Sequence, residues 1–500
     1  MKKTQIRAFI ISIISLFSMN FAHAKIPNYE RDVLVDLYYS TNGPSWKRSY
    51  NWLQGDPCDN NWYGITCRNK HLYKIDLGLN RLTGNLPASI SYLSHLDGLY
   101  LEGNKIEGNI PPSLGNMIRL RYLWLGYNKF SGNIPSSLGY MSSLMELHLQ
   151  DNSLSGQIPS VLGGLTNLHR LNLGSNRLAG NIPYQFGNLS NLVELDLAEN
   201  QLFGNIPSEL GYLPLSHLRL YKNHLSGNIP TSFGMFARIW VLELDNNQLS
   251  GTIPSQLGNL SQLQKLRLNN NNLQGNLPLQ LTNLNELSTL DLSENQLTGT
   301  VPWQIINLQK LSYLNLSYNR LSGNITSYLG YLHALKGLNL SSNTFTGEIP
   351  LSLRNLQNLT ALGIDYNAVD INPYFGGAYN FLNQLTPNWK NTQTLSPVNF
   401  RKSQTNINRF TLSWDRSDYT ADSGGYVISM SPSINGPYHI IYMTADKNIT
   451  SYHYNHTPFV SRNYYFKIRS ITDPHVHNQN TVISDESEIL HVSTGISWGL

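Results

Sequence analysis

The sequence predicts a right-handed, curved α/β solenoid with parallel strands on its concave face, followed by an all-β sandwich. Two observations predict it. Asparagine recurs in a fixed frame at Asn80, Asn104, Asn128, Asn152, Asn176, Asn200, Asn223, Asn247, Asn271, Asn295, Asn319, Asn343 and Asn367, and eleven of the twelve steps are 24 residues long. After Asn367 the period stops, and short alternating apolar and polar runs separated by turn residues take over. Composition agrees. Of 500 residues only 13% are charged and 40% are hydrophobic, with 38 Gly and 23 Pro. That excludes a charged disordered chain and a bundle of salt-bridged helices.

Residues 1–24 read as an export signal of the bacterial, lysine-rich kind. Lys2, Lys3 and Arg7 form a basic start, residues 8–17 an apolar stretch, and Ala22-His23-Ala24 a small-x-small cleavage site. These three cations account for all but +1 of the formal +4. The remaining chain is near neutral, so no nucleic-acid or anionic-lipid partner is expected. No stretch approaches the length of a membrane-spanning helix. A secreted protein, periplasmic or extracellular, is expected. Cys58 and Cys67 fall in the segment 25–71 and, in an oxidising compartment, are expected to form a disulfide. A redox pair or half of a metal site fits less well: the first prefers a two-residue spacing, and the second needs further ligands nearby.

Residues 72–372 hold thirteen repeats framed L-x-x-L-x-L-x-x-N-x-L-x-G-x-I-P-x-x-L-G-x-L. The L-x-L pair alternates as a strand does, burying leucine and exposing its neighbours. The Asn amide can satisfy backbone groups where the chain leaves the strand, and a ladder of them would span the stack. Gly permits the tight turn, and Ile-Pro favours extended or polyproline geometry on the far side. One unit cannot bury its own apolar edge, but a stack can.

This frame resembles the leucine-rich repeat superfamily, specifically its plant-type 24-residue class with the G-x-I-P signature. Similar repeats build the ectodomains of plant receptor kinases and the polygalacturonase-inhibiting proteins. The preceding segment fits the same family's N-terminal cap. It begins with an amphipathic helix from Tyr29, whose Val33, Leu34, Leu37 and Tyr38 can cover the first repeat, and continues through Trp46, Trp52, Cys58, Trp62 and Cys67. Unlike the plant receptors, the chain shows no C-terminal cysteine-pair cap, membrane span or kinase domain.

Residues 373–396 read as a closing cap and linker, residues 397–493 as a sandwich of about seven short strands, and 494–500 as a tail. The sandwich resembles a fibronectin type III domain. Trp414 would be its buried strand-B tryptophan, Tyr464, Phe466, Ile468 and Ser470 its strand F, and residues 485–492 its last strand.

No catalytic constellation assembles, and no enzyme, cofactor or metal site is expected: the chain has no phosphate-binding glycine loop, H-E-x-x-H or G-x-S-x-G. The pairs His453/His456 and His475/His477 read as exposed loop histidines. What remains is the concave face, where a large aromatic or a charge does nothing for the core. Departures from the repeat default fall in two blocks. The first holds Tyr100, Glu102, Tyr122, Trp124, Tyr127, Glu146, His148 and Gln150. The second holds Glu194, Asp196, Glu199, His217, Arg219, Tyr221, Lys222, Glu243, Asp245, Lys265 and Arg267. Tyr313, Tyr318 and Tyr366 are later exceptions. Aromatics beside mixed charge have the composition of a binding hot spot. The expected partner is an extracellular or host protein, with a glycan as the alternative ligand. The competing function, implied by the resemblance, is inhibition of an extracellular glycan-degrading enzyme.

Overall fold

Each repeat spends its residues in the same way. The L-x-L pair forms a three-residue strand such as Tyr122–Trp124 or Glu146–His148, with Leu123 and Leu147 buried. A turn follows, and then a second short strand such as Lys129–Asn133. Within it Gly132 has φ 73, and a Cβ there would stand 2.5 Å from Asn109 Oδ1 of the preceding repeat. Pro135, extended at φ −62 and ψ 129, then leads into the 3-10 turn Ser136–Tyr140, which buries Leu138. The helical half of the repeat is therefore 3-10 rather than α, because the five residues Ser136–Tyr140 between Pro135 and Met141 leave no room for a longer helix. Among the described residues the α-helices are α1 (Asn28–Ser40) and α2 (Gly376–Leu385).

The computed structural model describes residues 26–370, 376–387, 389–406, 409–417, 419, 421–455 and 462–494. The expected export signal lies outside them, as do His456 and most of the tail. The chain divides at Leu215/Ser216 into two compact units. The division falls in the 23-residue repeat, where Leu213 leaves its turn at ψ 150 while the equivalent Leu189 sits at ψ 63.

In the first unit, the parallel strands from His71–Asp76 to Glu194–Asp196 form one sheet, and those from Thr83–Asn85 to Gln201–Asn205 a second. The N-terminal segment closes this stack. Strand Ile65–Arg68 pairs antiparallel with His71–Asp76 and covers the sheet's edge. Val33, Leu34 and Leu37 of α1 are buried, while Tyr38 is half-buried and packs on Trp46 and Trp52. Cys58 and Cys67 are disulfide-bonded, as expected.

In the second unit, parallel strands run from His217–Arg219 to Ala361–Gly363 and from His224–Asn228 to Ala368–Asp370. An antiparallel β region follows. One sheet pairs Arg401–Asn406, Arg409–Ser413 and Ser451–Asn455, and the other pairs His439–Met443, Gly424–Ser431, Arg462–Thr472, Val482–Ile483 and Leu490–Thr494. Their core holds Phe410, Trp414, Tyr426, Ile428, Phe466 and Ile468. The last strand begins at Leu490 rather than near residue 485, because Asp485 is used elsewhere: its Oδ2 accepts the Gly347 N–H at 3.2 Å.

That contact belongs to a wider junction between the β region and the last repeats. Asn478, fully buried, donates to the carbonyls of Asn343 (3.0 Å) and Tyr366 (2.9 Å), and Asn480 donates to that of Asn319. His477 stacks on Tyr366 with centroids 4.8 Å apart, and His475 pairs with Asp422 at 3.1 Å. The loop histidines thus wedge the β region onto the repeats instead of standing free. His453 lies in strand Ser451–Asn455 and bonds Thr411 at 2.9 Å.

The asparagine ladder is formed as the repeat frame predicts. Asn319 Oδ1 accepts the Leu297 N–H of the preceding repeat (3.0 Å), and its Nδ2 donates to the carbonyls of Leu292 (3.0 Å) and Leu316 (3.2 Å). At the start, Asn80 accepts the Arg48 N–H and donates to the Arg48 carbonyl. At the end Gln393, fully buried, takes the asparagine's role by donating to the Ile364 carbonyl (3.0 Å) and accepting the Val369 N–H (3.3 Å).

Stranding a buried backbone group costs about 1–3 kcal/mol. Asn319→Ala should therefore lower the urea midpoint by the equivalent of at least about 2 kcal/mol. Asn259→Ala, exposed on a 3-10 turn, should stay within about 0.5 kcal/mol of wild type. At the junction, Asn478→Ala should release the β region to limited proteolysis about fivefold faster or more, reflecting roughly 1 kcal/mol of lost hydrogen bonding.

Candidate ligand-binding strand face

Parallel pairing in register stacks the outward residues of successive strands into two columns. In the first unit one column runs Gly98, Tyr122, Glu146, Arg170, Glu194, and the other Tyr100, Trp124, His148, Asn172, Asp196. The first block therefore condenses into a continuous aromatic patch. Tyr100 stacks with Tyr122 (centroids 6.2 Å) and meets Trp124 edge-on (5.0 Å), and Trp124 meets His148 at 4.9 Å. Gly98 permits this, since a Cβ there would stand 2.4 Å from the Tyr100 ring. Lys74 Nζ lies 4.4 Å from the centre of that ring.

Glu146 organises the polar side of the patch. It accepts the Trp124 indole N–H at 3.1 Å and pairs with Arg170 at 3.2 Å, and Arg170 also reaches Glu194 at 3.4 Å. Arg170 belongs to the repeat between the two predicted blocks and was not among the candidates, although a charge at that strand position was a readable departure from the default. Arg121, which pairs with Asp97 and lies over Tyr122, sits one place outside the columns. Burial pushes the Tyr100 hydroxyl up to about 12, reinforced by the nearby Tyr122 and by acids. Burial also raises the Glu102 carboxyl and lowers His148, the latter against the pull of Glu146. Glu102 Oε2, His148 Nε2 and Gln150 Oε1 are buried with no hydrogen-bond partner. His148 Nε2 is only 3.4 Å from Glu146 Oε2, but the alignment makes no hydrogen bond. Tyr127, 56% exposed, projects from the turn in the left-handed region at φ 54.

Glu194, Asp196 and Glu199 end the first unit's face. Asp196 Oδ1 accepts the Ala198 N–H, and Glu199 accepts Ser175 Oγ at 2.9 Å. In the second unit the columns read His217, Val241, Lys265, Thr289 and Arg219, Glu243, Arg267, Asp291. Glu243 departs from its expected exposure. At 6% exposed it is an internal counter-ion, with Arg219 at 3.2 Å, Lys265 at 3.3 Å and Arg267 at 4.0 Å. Asp245 is likewise buried, which raises its carboxyl, and its Oδ1 has no hydrogen-bond partner, nor does Arg267 Nε. Arg219, Lys265 and Arg267 are half-buried around it, with Asp245 and Asp291 on the neighbouring strand positions, so the patch is of mixed charge. Tyr221 is half-buried beside it, and Lys222 is exposed at φ 52. Tyr366 is absorbed by the β-region junction.

Among the described residues, the His and acid group close enough to hold a metal ion is Glu30, His71 and His95 in the N-terminal segment. The same residues include no helix long and apolar enough to cross a membrane.

The chain matches the leucine-rich repeat region family over residues 223–414 and leucine-rich repeat families over 142–202, 95–117 and 119–141. It is 35% identical over 99 residues to a putative leucine-rich repeat receptor-like serine/threonine-protein kinase of Arabidopsis thaliana, covering 18% of this chain and 10% of that protein. It is 45% identical over 56 residues to a probable leucine-rich repeat receptor-like protein kinase of the same plant, covering 11% and 6%. The structure is similar to the PEPR1–AtPEP1 crystal structure, with a TM-score of 0.62, 31% identity, and 74% of this chain and 55% of that chain covered. It is similar to the plant peptide hormone receptor RGFR1 in complex with RGF2 (0.55, 37%, 60% and 52%). It also resembles the Arabidopsis receptor kinase HAESA ectodomain with an IDA peptide hormone ligand (0.55, 31%, 68% and 66%). The chain thus spans about half to two thirds of the solved structures it matches and a small part of the curated relatives. It carries a leucine-rich repeat array whose structural neighbours are plant receptor ectodomains, followed by an antiparallel β region.

Proposed function

We propose that this is an exported, non-enzymatic binding protein that holds an extended segment of an extracellular or host protein along the first sheet. One observation carries the reading. Of the buried side-chain polar atoms without a hydrogen-bond partner among the described residues, Glu102 Oε2, His148 Nε2 and Gln150 Oε1 lie together on the first unit's strand face, beside the aromatic patch. Folded chains rarely leave such groups unpaired, and a ligand backbone supplies the missing donors and acceptors. The aromatic patch at Tyr100, Tyr122 and Trp124 supplies apolar contact area with little rotamer entropy to lose. The second unit's face carries a separate mixed-charge patch at Arg219, Glu243, Lys265 and Arg267, suited to a polar contact of its own. RGF2 in the RGFR1 complex and the peptide hormone in the HAESA complex are in keeping with a peptide or protein ligand. Export fits the disulfide Cys58–Cys67. The β region, with three strands facing the sheet built on Gly424–Ser431 and Arg462–Thr472, is read as fibronectin type III-like. Its junction makes it a fixed end-piece rather than a loose spacer.

The double variant Tyr100→Ala/Trp124→Ala should weaken partner capture from host or bacterial surface extracts about 100-fold or more, as expected for two hot-spot residues. The melting temperature should hold within about 2 °C, since half-exposed rings add little to the core. Capture at wild-type strength would overturn this placement of the site. Arg267→Ala should weaken any contact made by the second unit's face about tenfold or more and make it less sensitive to salt, measured with an acidic peptide as probe.

A further inference from the structure

We propose that Glu30, His71 and His95 form a binding site for a divalent first-row transition ion of the Zn²⁺ class at the start of the repeat array. The three residues come from separate elements. Glu30 lies in the first turn of α1, His71 opens strand His71–Asp76, and His95 precedes strand Gly98–Tyr100. One donor atom from each lies within 4.8 Å of the other two. The period explains the placement. His71 and His95 each stand nine places before a ladder asparagine, Asn80 and Asn104, so stacking of the repeats superposes their rings at 3.7 Å and 16°.

Glu30 is completely buried. One carboxylate oxygen accepts the Leu72 N–H at 2.7 Å, and the other lies 2.6 Å from His71 Nδ1 and accepts the Tyr29 hydroxyl at 3.3 Å. His71 is its one ion-pair partner among the described residues. A buried carboxylate needs a compensating positive charge. A single dication meets the requirement. Two imidazoles and one carboxylate are a recognised zinc donor set that leaves a coordination position open, and both histidines are half-buried, so water can reach it.

Metal–ligand bonds of about 2.0–2.1 Å place tetrahedral donors about 3.3 Å apart. Binding therefore opens the Glu30–His71 contact from 2.6 Å, turns the two rings out of their stack so that both lone pairs converge on the ion, and leaves the His71 proton on the ring nitrogen that does not bind. No electron transfer or covalent step is involved. Its effect is to tie α1 to the first two repeats.

The test titrates zinc chloride into the full chain after chelator treatment. Calorimetry runs alongside thermal melts. One ion per chain and a melting-temperature rise of about 2 °C or more at a hundredfold over Kd are expected. His95→Gln leaves the Glu30–His71 contact intact. It should melt like wild type without zinc, yet bind at least about tenfold more weakly and lose the thermal shift. His71→Gln should lose binding as well. Absence of stoichiometric binding to the wild-type chain, or equal binding and thermal shift in the His95→Gln chain, would overturn the proposal.

Discussion

The whole array depends on one recurrent interaction, the side-chain amide of the ladder asparagine bonded to the backbone of the repeat before it. Every repeat must turn off its strand with N–H and C=O groups facing inward, where water does not reach. Asn128 shows the arrangement in full: Oδ1 takes the Ile106 N–H, and Nδ2 serves the Leu101 and Leu125 carbonyls. Each amide thus satisfies groups in two repeats at once, which turns a sequence period into a register. The ends obey the same requirement with different residues. Arg48 of the N-terminal segment meets Asn80, and Gln393 meets Ile364 and Val369.

With core and backbone satisfied by the frame, the outward columns are free to vary, and function can concentrate there. In-register pairing makes residues 24 places apart into neighbours, so departures from the default accumulate as patches rather than scattered points. The aromatic run from Tyr100 to His148 and the charged column Arg219, Glu243, Arg267, Asp291 arise in this way. The same rule brings His71 over His95.

Much of this was legible in the chain itself. Fixed spacing and the L-x-L, asparagine, glycine and Ile-Pro places predicted the strands, the ladder and the extended return path, because each depends on local geometry. Other features were not legible. The return path pairs into a second parallel sheet, and that depends on how the Gly132-type bends align between repeats. Glu243 was expected at the surface, but its burial follows from Arg219, Lys265 and Arg267 converging on it from neighbouring strands. Arg170 departs visibly from the repeat default, but its role depends on Glu146 and Glu194 on the strands to either side. His475 and His477, close in sequence, suggested loop residues; their partners Asp422 and Tyr366 lie far along the chain.

The sequence by itself determined the repeat, its length, the residues that bury and the residues that turn, because those follow from side-chain size, backbone freedom and a fixed period. Only the tertiary structure decided which charges are buried, how the β region seats Asn478 and Asn480 on the last repeats, and which polar atoms on the strand face stay unpaired. Those outcomes depend on contacts between side chains that the chain's order separates by one repeat or by many. Pairwise distance, rather than periodicity, sets their chemistry.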